Sequence, residues 1–66
     1  MTYTAFKTVI RSKLQREPDG VPWSAIRDSL NLPYDRPCPE WVKRLEQDIG
    51  LIRSKKNGRA YLWHLS

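Results

Sequence analysis

The chain is poor in the residues from which reactive centres and covalent staples are built. It contains one cysteine and one histidine in 66 residues. A lone cysteine closes no intrachain disulfide, and one Cys with one His cannot complete a zinc site. Its three glycines form no phosphate-cradling loop. Long apolar runs are missing too, and nothing approaches the roughly 20 residues needed to span a bilayer. The mean hydropathy of −0.68 agrees. The beginning, "MTYTAFKTVIRSK", has no continuous apolar stretch of the secretory kind. The expectation is a noncatalytic chain without cofactor, metal or membrane association. It would sit in a reducing, cytoplasmic setting, at the nucleoid in a bacterium or in the nucleus of a eukaryote.

Acids are unevenly missing. Residues 1–20 carry four bases and two acids, and residues 21–50 carry four bases and five acids. Residues 51–66 carry Arg53, Lys55, Lys56 and Arg59 with no acid at all. The formal net charge is +5. A basic chain with its excess gathered in one segment has the electrostatic profile of a nucleic-acid binder.

What remains is enough for a small core. Three Trp, three Tyr and one Phe supply large apolar surfaces, although a chain this short buries only about 60 % of what its unfolded form exposes. In "TYTAFKTVIRSKLQRE", Phe6, Val9, Ile10 and Leu14 fall at helical spacing. Thr2 or Thr4 is suited to the N-cap, and "EPDG" supplies the stop. Val21 can form a short extended piece. Ser24 is then an N-cap for a second helix through Ala25, Ile26 and Leu30, with Asn31 just past its end. "PYDRPCP" is an irregular connection. Pro39 suits the first turn of a third helix carrying Trp41, Val42, Leu45 and Ile49 inward, and Gly50 ends it.

"LIRSKKNGRAYLWHLS" reads as a hairpin, with Asn57-Gly58 as its turn. A two-residue turn there sets Lys56 opposite Arg59, Ser54 opposite Tyr61 and Ile52 opposite Trp63. Ile52, Tyr61, Trp63 and Leu65 would then share the core side. The expected organisation is one domain over residues 1–66. Its helices lie at about 4–16, 24–30 and 39–49, and its hairpin at about 51–65.

Helix, short strand, helix, helix, then a closing hairpin resembles the winged helix-turn-helix superfamily, and the likeness covers nearly the whole chain. "LEQDIGLIR" is similar to that superfamily's junction between third helix and first wing strand. "NGRAYLWHLS" is similar to its returning aromatic-rich strand. The resemblance implies an α+β fold in the order α-β-α-α-β-β. It also implies a third helix directed at the DNA major groove and a basic wing along phosphates. This chain departs from the pattern in two places. Its "NLPYDRPCPE" connection is long and proline-rich, and its third helix sets Glu40, Glu46 and Asp48 against Lys43 and Arg44.

The candidate binding residues follow. Arg53, Lys55, Lys56 and Arg59 are suited to phosphates, each contact releasing condensed counterion. They also suit a solvated tip that guards a sheet edge. On the third helix Lys43, Arg44 and Gln47 point outward; Arg and Lys suit guanine edges and Gln suits adenine. Arg44 alternatively pairs with Glu40 or Asp48 at i,i+4 spacing. Tyr34 and Arg36 could touch a backbone, or Tyr34 could pack over the core edge. The three Trp read as core, Cys38 as a packed or capping residue and His64 as structural. The expected partner is double-stranded DNA, one copy offering a small footprint, with a homodimer or partner protein adding specificity. The rival reading is a protein-interaction module using the third helix and the "PYDRPCPEW" loop. Binding of RNA or single strands would require exposed aromatics beside the wing.

Overall fold

The structure is a computed structural model and describes residues 1–55 and 61–65. The elements run α1 (Tyr3–Gln15), β1 (Val21–Pro22), α2 (Trp23–Leu30), α3 (Pro39–Asp48), β2 (Leu51–Lys55) and β3 (Tyr61–Leu65). The result is a small α+β fold of three helices and a three-stranded antiparallel sheet ordered β1-β3-β2. The last strand in sequence is therefore the central one. The expected turn at Asn57-Gly58, with Lys56 opposite Arg59, lies outside the described residues.

Each helix turns one apolar stripe inward. α1 buries Phe6, Ile10 and Leu14, α2 buries Ile26, and α3 buries Val42 and Leu45. Leu32, Leu51 and Trp63 complete the core. Trp63 is only 1 % exposed, while Trp23 and Trp41 are half-buried. The rings form a connected series: Trp41 lies 4.9 Å from Phe6, Phe6 6.3 Å from Trp23, and Trp23 5.2 Å from Trp63. Such aromatic pairs contribute about 0.5–1.5 kcal/mol each beyond their area. They supply rigidity that a core of this size needs.

The helix ends follow the local chemistry, with one exception. The Thr2 hydroxyl accepts from the Ala5 amide at 3.2 Å and caps α1. Asn31 adopts the left-handed conformation (φ 52°, ψ 47°) that closes α2. Pro39 occupies the first turn of α3, and the Cys38 carbonyl accepts from Val42 at 2.9 Å. Ser24 is not an N-cap: α2 begins one residue earlier, at Trp23, with Pro22 as its uncapped boundary. The reason is that Val21 and Pro22 pair with Trp63 and Leu62 of β3, so the chain passes from strand directly into helix. Pro22 is tolerated there because β1 is an edge strand.

The hairpin register differs from the expected one by a single residue. Ser54 faces Leu62, Ile52 faces His64 and Arg53 faces Trp63. A one-residue slip exchanges the two faces of a strand. Leu51, not Ile52, therefore takes the core position: Leu51 is 4 % exposed and Ile52 40 %. Gly50, at φ +70°, turns the chain so that Leu51 follows α3 directly into the interior. Tyr61 keeps its place on the side of Trp63 and Leu65, but it stands beyond the helices and is 46 % exposed. At the other crossing Gly20 has φ +91°, and a Cβ there would meet the Leu62 Cβ at 3.2 Å and the Trp63 carbonyl at 3.4 Å. A glycine is required at that position for both reasons.

Candidate functional site

The proline-rich connection between α2 and α3 is held down at three points. The Trp23 indole Nε1 donates to the Asp35 carbonyl at 3.0 Å, and an Arg27 nitrogen reaches the same oxygen at 3.5 Å. Tyr34 packs edge-on against Phe6 and Trp41, at 6.3 and 6.2 Å. Tyr34 thus covers the core edge. The Arg36 side chain stands exposed on an anchored segment.

Among the clefts that border this connection, two are lined by both Arg53 and Pro37. The first has a volume of about 280 Å³ and lies between hairpin and α3; its walls include Lys43, Glu46 and Pro39. The second has a volume of about 560 Å³ and lies between hairpin, α2 and the connection; its walls include Arg36, Trp23 and Tyr61. The fold therefore sets Arg53 in one cleft with Arg36 and in the other with Lys43. Lys55 extends the same side of β2, and its ammonium lies 5.6 Å from the Tyr61 ring centre. Gln47 is exposed on α3, one turn beyond Lys43, and lines neither cleft. Lys56 and Arg59 lie outside the described residues.

Arg44 is drawn away from this group. Its guanidinium carbon lies 3.8 Å from the centre of the Tyr3 ring. The Tyr3 hydroxyl donates to Asp48 Oδ2 at 2.7 Å, and the ring meets Trp41 edge-on at 5.7 Å. Among the described residues the ion pairs are Lys13–Glu17 and Arg27–Asp28, each at 3.2 Å. Arg44 therefore has an aromatic partner on α1 in place of the acid partners its spacing suggested. Burial, then the bond to Asp48 and that carboxylate's charge, push the Tyr3 hydroxyl up to about 12, against a smaller opposing effect of Arg44. Asp48 is occupied by this bond and keeps its charge, so α3 still sets three acids against Lys43 and Arg44.

Two residues of consequence escaped the sequence reading. Tyr3 was one aromatic among several at an amphipathic helix start, and nothing in its spacing reveals a bond to Asp48, 45 positions away. Tyr61 was assigned to the core by strand alternation. The signal that could have placed it outside is its distance from the helices along β3, two residues past the buried Trp63. Cys38 is exposed, and its side chain makes no capping bond. His64 shares a hydrogen bond of 2.9 Å with Ser54 on the other face of the sheet. Among the described residues no three His, Cys, Asp or Glu side chains gather where a metal ion could be held. No described helix is long and apolar enough to cross a membrane.

Compared with known proteins, the chain matches no family model, no curated protein and no solved structure.

Proposed function

We propose that the chain is a noncatalytic, double-stranded DNA-binding domain of the winged-helix kind, serving transcription or another DNA transaction. On this reading α3 is directed at the major groove and the β2–β3 hairpin is the wing on the phosphates. The observation that supports it most is the position of Arg53. It lines one cleft with Lys43 of α3 and a second with Arg36 of the anchored connection. Three cations from different parts of the chain thus converge on one side, without an ion-pair partner among the described residues. Separately placed cations on one surface follow a phosphate backbone better than a single flexible run does. Gln47 and Lys43 are the outward residues of α3 suited to base edges, and Arg44 is withheld by Tyr3.

The test is a fluorescence-anisotropy titration of a random-sequence duplex across a salt series. An Arg53→Ala/Lys55→Ala chain should bind more weakly, with a log–log salt slope shallower by about 1–2. Lys43→Ala should weaken binding, whereas Arg44→Ala should chiefly loosen the contact with α1. A wild-type chain indifferent to DNA at low salt would overturn the proposal.

One observation favours the rival reading of a protein-interaction module. An apolar cleft of about 420 Å³, walled by Phe6, Tyr34, Pro37 and Trp41, opens beside the same connection. On that reading a partner protein binds there, and the hairpin cations only keep the chain soluble.

A further inference from the structure

The larger of the two clefts bordered by Arg53 has an aromatic wall that duplex binding does not use. At the hairpin end stands Tyr61, a large aromatic left 46 % exposed. Two cations approach its ring: the Arg53 guanidinium carbon at 5.2 Å from the ring centre and the Lys55 ammonium at 5.6 Å. The same guanidinium carbon lies 6.0 Å from the Trp63 ring centre. The wall also carries Asp35, its single acid, together with Ser24 and the cations Arg27 and Arg36. The cleft thus combines an excess of positive charge with an aromatic face and a few hydrogen-bonding groups. The volume of about 560 Å³ falls within the usual range for sites that enclose small ligands, roughly 300–1,000 Å³.

We infer that this cleft receives an unpaired nucleobase, stacked on Tyr61 with its phosphate held by Arg53 and Lys55. The inference rests on the nucleic-acid reading above and names a second element of its target: a single-stranded extension adjoining the duplex. A base inside a duplex has both faces covered by its neighbours and cannot offer one to Tyr61. An unpaired base can, and base–aromatic stacking supported by arginine is the general means of holding single strands.

The experiment compares three DNAs by fluorescence anisotropy with the full chain at one salt concentration: a blunt duplex, the duplex with an oligothymidine tail, and the duplex with an abasic tail of equal length. The abasic tail adds the same phosphates without bases, so it separates stacking from charge. The thymidine tail is expected to bind roughly tenfold more tightly than the abasic one, the gain typical of one stacked base. Tyr61→Ala should abolish that difference, and Tyr61→Trp should retain it. Equal binding of the two tails by the wild-type chain would overturn the inference. So would a thymidine preference that survives Tyr61→Ala. If the blunt duplex is bound while the two tails stay equal, this inference alone fails. If no DNA is bound at all, both fail together.

Discussion

Tyr3 donates its hydroxyl proton to Asp48 while Arg44 covers its ring, and the two contacts have different pH dependences. The arginine stays charged throughout the accessible range. The phenol must keep its proton to donate. Its folded value near 12 lies above the ordinary 10.0, so the fold favours the protonated form. Its contribution to stability is accordingly complete below pH 10 and is lost as pH rises from about 10 to about 12. Denaturant unfolding of the wild type and Tyr3→Phe should therefore show a constant difference at neutral pH that closes over that alkaline interval. An ultraviolet phenolate titration should show a late component that is absent in Tyr3→Phe. A difference that stays constant through the interval would mean that the bond to Asp48 does not form in solution. The same triad explains why Arg44 and Lys43, adjacent in sequence, have different tasks: one binds the first helix to the third, and the other is left outward.

At the scale of the element, the hairpin shows where a strand pattern is ambiguous. "LI" offers two apolar residues in succession, and alternation alone cannot decide which one faces inward. The choice is made by Gly50 and by the pairing of Trp63 with Val21. Leu51→Ala should cost about 2–5 kcal/mol, as expected for a truncated core leucine. Ile52→Ala should change stability by about 0.5 kcal/mol, as for a surface position. Chemical denaturation of both variants checks the register, and equal losses would contradict it. The helices were more legible, because their stripes and stops are written locally: Thr2 before α1, Asn31 after α2, Pro39 and Gly50 around α3. Ser24 misled because a capping residue has no use where a strand feeds a helix without a turn. Of the binding surface, the cations themselves could be read from the sequence. Their convergence could not, since Arg36, Lys43 and Arg53 meet only through the folding of the connection against the hairpin. The withdrawal of Arg44 is likewise a long-range contact that no local spacing encodes.

At the scale of the whole molecule, the charge limits how strongly the proposed complex can depend on salt. Four described cations stand on the proposed surface, Arg36, Lys43, Arg53 and Lys55, and each phosphate neutralised contributes a slope of about −0.9. A single copy on duplex DNA should therefore show a log–log slope of about −2 to −4. A slope well beyond about −5, more than these four together with Lys56 and Arg59 can supply at about −0.9 each, would mean that several copies bind side by side, which sedimentation of the complex would reveal. One indole joins the parts of the fold on which this surface depends. Trp23 begins α2, stacks on Trp63 of the central strand, holds the Asp35 carbonyl through its N–H and walls the larger cleft. An occupant of that cleft alters the surroundings of this indole directly. The unlabelled chain consequently carries its own optical reporter: its tryptophan emission, to which Trp23 and Trp63 of the cleft wall both contribute, follows the filling of the cleft without a dye on either partner.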